Sequence, residues 1–540
     1  MLNEYRIFGP PGTGKTTKLS QQITTACQEY GADNVCAASF TKTAAAELLG
    51  RDLPLNEDCV GTLHALCFRL LGNPTLAVDK TSIDQWNEFA PRYERSGGTV
   101  DLDDPWTEPS GSTDGDKLYD AMKMMRNLQI DREAWPPHVE AFATKWEQFK
   151  ADTGKMDFLD LIDTCLNEHL APDVRVGFFD EVQDFAPVEL ALVRQWGTQF
   201  DRYYLAGDDD QAIFSFKGAT PDAFLYPAIP QAQKIFLEQS YRLPAAIHRH
   251  VMDLVGAITP RELKTYRPRA ATGEVDTLYG SPAFPDYWLH PVEEALKQGS
   301  VMLLTACNYQ TDEIVKALRG EGLAFSNRWR RSNRKWNPLH AARTHITALD
   351  RLEAFLRPQR AALGARAREW TYLDLWHACE GLDATHFPRG SKALIKAAAE
   401  GTPGSPVLEA DLLSWLDNPA TLDAFLSGDL AWYRRACLPT ARKSLYYALD
   451  IVAKYHHVPT PENRTRLTVG TIHSVKGGQA DTVFLFPGLS QAAWEAYYDP
   501  GNEAGEMATR RQMYVGMTRA KERLVLMTGG QLVIDASVGL

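Results

Sequence analysis

The chain has 540 residues, 44% of them hydrophobic and 23% charged, with a net charge of −12 and a pI near 5.6. That length exceeds one hydrophobic core and sets an expectation of about three or four domains. No apolar run approaches the ~20 residues of a membrane span, and residues 1–6 lead straight into a Gly-rich loop, which leaves no room for a signal peptide.

The acidic balance argues mildly against a nucleic-acid partner. A groove-binding protein nevertheless needs cations only along its track, because backbone amides and base stacking supply much of the grip. The eight cysteines (27, 36, 59, 67, 165, 307, 379, 437) form no C-x-x-C pair and no zinc-ligand spacing. Reduced core thiols in a cytoplasmic protein are expected.

In chain order, Tyr5-Arg-Ile-Phe8 predicts a strand feeding Gly9-Pro10-Pro11-Gly12-Thr13-Gly14-Lys15-Thr16-Thr17 and then a helix. In that context the glycines let backbone N–H groups wrap phosphates, and the helix N-terminus adds positive potential. Lys15 is expected at the β- and γ-phosphates of ATP and Thr16 on Mg²⁺. The segments 35–40, 176–180 and 203–207 read as further strands of a parallel sheet, whose C-terminal ends bind ligands. Asp180 and Glu181 follow such a strand, placing one carboxylate for Mg²⁺ and the next for the attacking water. A solvated acidic turn is the alternative, disfavoured by the four apolar or small residues before Asp180.

The long gap between Lys15 and Asp180 implies an insert at 76–150, with 96–116 as an exposed, flexible loop and aromatic helices around Trp135 and Trp146. A second α/β pattern begins near Gly273, with strands at 300–305, 467–471, 482–486 and 523–527. Between them, 328–462 has helical periodicity. It opens on the basic, aromatic Arg328-Trp-Arg-Arg331 and Arg334-Lys-Trp336, which reads equally as a strand grip or as an exposed hinge.

Further motifs make the pattern specific: Asp180-Glu-Val-Gln-Asp184, Gly207-Asp-Asp-Asp-Gln211, Leu237-Glu-Gln-Ser-Tyr-Arg242 and Tyr514-Val-Gly-Met-Thr-Arg519. With 40–47, 61–64, 157–161 and 470–477, they resemble the UvrD/Rep/PcrA helicases of superfamily 1. The resemblance implies two RecA-like parallel-sheet P-loop cores, each interrupted by a mostly helical subdomain. The expected division is 1–75 plus 151–265, insert 76–150, 266–327 plus 463–540, and insert 328–462. It also implies ATP bound between two halves that close and reopen.

By that resemblance Gln211 senses the γ-phosphate, Arg242 and Arg519 act as arginine fingers, and Tyr241 stacks on adenine. A planar, permanent cation suits the charge on a transferring phosphoryl group. Phe214 and Phe216 stand where relatives carry strand-stacking aromatics, although two alternate Phe can equally be core. Phe40, Thr41, Thr62, His64, His473 and Lys476 are implied strand contacts. Three departures bear on nucleotide choice. Only eight residues precede Gly9, Thr17 stands where relatives often have Arg, and Gln479 replaces a ribose-binding Glu, so looser base selectivity is expected. Lys217 also replaces an Arg.

The implied activity is an Mg²⁺- and ATP-dependent DNA helicase moving 3′ to 5′ on single strands. Implied partners are single-stranded DNA, single/double-strand junctions and proteins of repair or replication. A cytoplasmic monomer with no membrane partner is expected. The alternatives are a strand-stimulated ATPase that serves a nuclease or polymerase without unwinding, and a protein-remodelling ring of the AAA type.

Overall fold

The computed structural model describes residues 3–40, 53–96, 113–327, 339, 346–357, 370–460, 463–464 and 466–528. Thr41, most of the 96–116 stretch and the basic, aromatic stretch 328–336 lie outside them. The chain divides into two compact units, Met1–Val275 with Gln491–Arg523, and Asp276–Ser490 with the segment from Leu524.

The first unit is built on β1 (Glu4–Phe8), β2 (Val35–Ser39), β3 (Val60–Thr62), β4 (Val176–Asp180), β5 (Arg202–Gly207) and β6 (Lys234–Phe236). Their order is β3-β2-β4-β5-β1-β6, and every neighbouring pair runs parallel. β2 and β4 are buried along their whole length, as strands covered on both faces must be. Ile7, Val35, Phe178 and Ala206 from the sheet meet Leu19 and Ile23 of the helix Lys15–Tyr30. Parallel register pairs Phe8 with Gly207, Phe179 with Leu205 and Ser39 with Asp180. One edge therefore receives Gly9, Asp180 and the residues after Gly207 together. β3 and β6 were not foreseen, since three residues carry too little alternation to register as strands.

The helices Lys80–Phe89, Asp114–Asn127 and Pro137–Thr153 form an aromatic core of their own. Trp86 meets Trp146 edge-on at 5.0 Å, with Phe142 and Phe149 against the same rings. Edge-to-face packing of this kind adds to the area the rings bury. Asp157 joins this insert to the helix Phe158–Asn167, which it caps in a reciprocal box with Asp160. Its buried carboxylate also accepts from Trp146 Nε1 and Lys150 Nζ, both at 2.8 Å.

Helices Gln491–Tyr498 and Glu503–Met517, which follow the strand Ala480–Phe486 in sequence, pack within this first unit. The physical reason is Arg511, only 4% exposed, which donates to the backbone carbonyls of Asp209, Thr259 and Pro260.

The second sheet comprises β7 (Glu274–Leu278), β8 (Val301–Thr305), β9 (Leu467–Thr471), β10 (Ala480–Phe486) and β11 (Ala520–Met527), ordered β7-β11-β10-β8-β9; all of it belongs to the second unit except the first residues of β7 and β11. β8 runs parallel to both neighbours. The helices from Ala348–Phe355 to Arg442–Tyr455 share one core with this sheet: Leu349, Phe355, Trp370 and Tyr433 are continuous with Val301, Leu303, Val469 and Phe484. Tyr447 adds a buried bond to the Leu323 carbonyl at 2.6 Å. All eight cysteines are free, six of them buried. Among the described residues no helix is long and apolar enough to cross a membrane.

Candidate nucleotide site and strand-facing residues

The loop after β1 is fixed from both sides. Gly9 N donates to Gly207 O at 3.1 Å, and Thr13 closes back on Pro10 O through its N–H and its hydroxyl. Ser240 Oγ and Tyr266 OH both donate to Pro11 O, at 3.1 and 2.7 Å, while Tyr241 N donates to Gly12 O at 2.8 Å. Gly12 is obligatory on two counts: its φ of +74° suits glycine, and a Cβ there would lie 2.4 Å from Arg242 Cβ. Gly14, also left-handed, starts the helix Lys15–Tyr30, and a helix N-terminus favours an anion. Tyr241 lies beside this loop with its side chain 76% exposed.

Lys15 Nζ stands 3.2 Å from Glu181 Oε1. Burial works against its charge, but Glu181, Asp180 and Asp208 outweigh burial and hold the ammonium above its ordinary value. Asp180, at the end of β4, is 2% exposed and accepts from Glu181 N at 2.9 Å. Glu181 itself adopts φ +56°, an uncommon conformation for a residue with a Cβ. A hard cation that takes one or two protein oxygens and completes its shell with phosphate and water suits Thr16 and Asp180.

From Glu181 a relay of side chains crosses the sheet edge. Gln183, fully buried, donates to Glu181 Oε2 at 2.5 Å and accepts from Asp208 N at 3.0 Å. Asp208 Oδ2 accepts from Gln211 Nε2 at 2.8 Å and from Tyr514 OH at 3.3 Å. Gln211 Oε1 in turn accepts from Arg519 Nη2 at 3.0 Å. Arg519 is 2% exposed; burial, and then the neighbouring Arg242, push its guanidinium down to about 9. Arg242 Nη1 donates to Thr518 O at 3.3 Å. A guanidinium depressed by burial and by a second guanidinium gains from an anion placed beside it.

Phe40 and Phe214 are 7% and 8% exposed, with rings 5.2 Å apart, and Lys217 Nζ lies 4.4 Å from the Phe214 centroid. Phe214 is therefore a covered ring, unlike Phe216, which is 48% exposed. Thr62 Oγ1 caps the helix Leu63–Leu70 by accepting from Ala65 N at 3.2 Å. His64 is buried, its Nδ1 3.7 Å from Glu189 Oε1; burial pushes the imidazole down to about 4 and the Glu189 carboxyl up to about 7. In the second unit, His473 and Lys476 are half-buried in the turn after β9, and Gln479 is exposed.

Residues 2–228 match the UvrD/REP helicase N-terminal domain and residues 466–527 the UvrD-like helicase C-terminal domain, together more than half of the chain. The chain belongs to the UvrD/Rep helicase family. Among relatives, it is 24% identical to a probable DNA helicase II homolog of Mycoplasma pneumoniae, over 52% of this chain and 44% of that protein. It is also 24% identical to the ATP-dependent DNA helicase PcrA of Staphylococcus aureus, over 50% of this chain and 40% of that protein. With the ATP-dependent DNA helicase UvrD2 of Mycobacterium bovis the identity is 24%, over 96% and 76%. The match thus spans less than half the length of the first two relatives.

Of the expected nucleotide residues, this UvrD/Rep-family chain brings Gly9 to Thr17, Asp180, Glu181, Gln211, Tyr241, Arg242 and Arg519 into one unit, whereas Gln479 lies in the other. Gln183, Ser240, Tyr266 and Arg511 were missed as site-building residues. So were Lys264 and Arg261, which neutralise the buried Asp208-Asp-Asp210 run. The one signal for that pair was the run itself, since three buried carboxylates demand cations. Nothing in the sequence says which cations.

Proposed function

We propose that this chain is an ATP-driven motor that moves 3′ to 5′ along single-stranded DNA and separates duplex ahead of it, with Mg²⁺ as its cation. One observation carries the reading: the relay from Lys15 through Glu181, Gln183, Asp208 and Gln211 to Arg519. Gln211 also opens the turn that carries Phe214, Phe216 and Lys217. A change at the phosphate end therefore has a covalent and hydrogen-bonded route to a candidate strand surface. Relatives named as ATP-dependent DNA helicases support the substrate.

In this reading the Gly9–Thr17 loop and Lys15 hold the triphosphate, while Thr16 and Asp180 hold Mg²⁺, which would neutralise charge on the phosphates. Glu181 orients the attacking water and accepts its proton; Arg242 and Arg519 stabilise the charge that develops on the transferring group. Tyr241 stacks on the base and Gln479 meets the ribose. Phe216 is the exposed stacking ring, with Thr41, His473 and Lys476 as further strand contacts; the other candidates, Phe40, Thr62, His64 and Phe214, are buried. The protein works as a cytoplasmic monomer on single strands and junctions, beside repair or replication proteins.

The test is strand displacement on duplexes with a 3′ or a 5′ single-stranded tail, with Lys15→Ala as control. Opening of the 3′-tailed duplex alone supports the full reading. ATP hydrolysis stimulated by single strands with neither duplex opened would replace it with a translocase or switch that serves a partner. Stimulation absent altogether would refute the motor.

A further inference from the structure

We propose that Lys264 is a positioning residue for Gln211, acting through Asp208; this rests on the reading of Gln211 as the residue that couples phosphate to strand. Lys264 has a side chain only 1% exposed, and its Nζ lies 3.3 Å from Asp208, 2.5 Å from Asp209 and 2.9 Å from Asp210. Arg261 faces the same cluster with a two-pronged grip on Asp210, at 2.9 and 2.7 Å. Arg511 reaches the Asp209 carbonyl, and Glu262 N donates to Asp209 Oδ2 at 2.7 Å.

The two oxygens of Asp208 have different partners. Oδ1 faces Lys264, whereas Oδ2 accepts the amide of Gln211. Oδ2 accepts, so it fixes which end of the Gln211 amide points toward it. The carbonyl end is then turned to Arg519. Take Lys264 away and Asp208 Oδ1 loses the cation that anchors it beside two other buried carboxylates, so the Asp208 side chain is no longer held in one orientation. Once that carboxylate can turn, Oδ2 no longer holds the Gln211 Nε2 in place, and the amide loses its fixed sense. Lys264 reaches no part of the phosphate loop in these contacts, so its effect falls on turnover and not on ATP binding.

Lys264→Met alone strips charge from a buried cluster and can lower stability for that reason only. Lys264→Met with Asp209→Asn removes one cation and one carboxylate together, and the amide oxygen introduced by the second change would still accept from Glu262 N. Strand-stimulated ATPase kinetics and thermal midpoints are measured for this double variant, for Gln211→Ala, for the combination and for Lys264→Arg. Expected are a midpoint within about 3 °C of the parent, kcat lowered about ten-fold with KM for ATP within about two-fold, and no further loss when Gln211→Ala is added. Lys264→Arg keeps a cation on Asp208, folds in either case, and is expected to retain kcat within about three-fold. Parental kcat in the double variant, losses that multiply with Gln211→Ala, or Lys264→Arg as slow as Gln211→Ala would each overturn the proposal. Parental kcat in Gln211→Ala itself would instead remove the reading of Gln211, and the role of Lys264 with it.

Discussion

Asp157→Asn isolates the joint between the first insert and the helix Phe158–Asn167. The wild-type carboxylate is 1% exposed and accepts from Lys150 Nζ at 2.8 Å, Trp146 Nε1 at 2.8 Å and Arg126 Nη1 at 3.4 Å, while capping Asp160 N at 2.9 Å. Asparagine keeps the cap, because its carbonyl still accepts. It loses the charge and turns an N–H₂ toward donors. Removing one member of a buried ion pair costs about 3–5 kcal/mol. Asp160 and Asp163 remain on Arg126, at 2.8 and 2.6 Å, and Asp160 remains on Lys150, so the lower end, about 3 kcal/mol, is expected here.

The loss is local, so the assay is native-state hydrogen exchange across 137–167, where it should appear as roughly 100-fold faster opening. The acid limb gives a second reading. Burial alone would raise the Asp157 carboxyl, but Lys150 and Arg126 outweigh it and hold it below the ordinary carboxylate range. Its stabilisation is therefore present above the unfolded value and lost as pH falls, and the variant should show a shallower acid limb. Exchange within three-fold of wild type across 137–167 would refute the joint.

Gln183→Leu removes two bonds of the relay, one to an ionised group, and should lower kcat by about 10- to 100-fold with ATP binding little changed, as read by steady-state ATPase kinetics. Arg519→Ala should lower kcat by about 10³-fold, and an unchanged rate would exclude it as an arginine finger. Phe216→Ala should weaken single-strand binding by about 1–3 kcal/mol in a fluorescence titration, whereas Phe214→Ala, being covered, should lower the melting midpoint first. Glu189, raised by burial to about 7, binds more protons folded than unfolded; its contribution is complete below the unfolded value and is lost as pH rises toward 7. Glu189→Gln should therefore gain stability at pH 8 relative to pH 5, by about 2–3 kcal/mol in urea titrations.

Much of the sheet edge was legible because each ligand-bearing segment follows a run of apolar residues that ends in a polar cluster. Gly9, Asp180 and Gln211 could be placed on one edge from that pattern alone. The partners of those residues could not. Ser240, Tyr266, Lys264 and Arg511 come from distant segments, and their roles follow from which atom they reach. Phe214 and Phe216 show the same limit at short range: alternate positions look alike in sequence, and only the neighbouring Phe40 and Lys217 decide that one ring is covered. The Asp157 motif stood in the sequence as a family mark without a job. Its work is to cap a helix and to seat a buried ion cluster.

The two inserted helical regions differ in autonomy. Trp86, Trp146, Phe142 and Phe149 make a core that the first insert keeps to itself, attached to its neighbours through polar contacts at Asp157, Arg126 and Asn127. Phe355, Trp370 and Tyr433 of the second belong to the same apolar continuum as β8, β9 and β10. Recombination between relatives should respect that difference. The first insert can be exchanged as a cassette with its Asp157 joint, whereas the second can be exchanged only with the sheet beneath it.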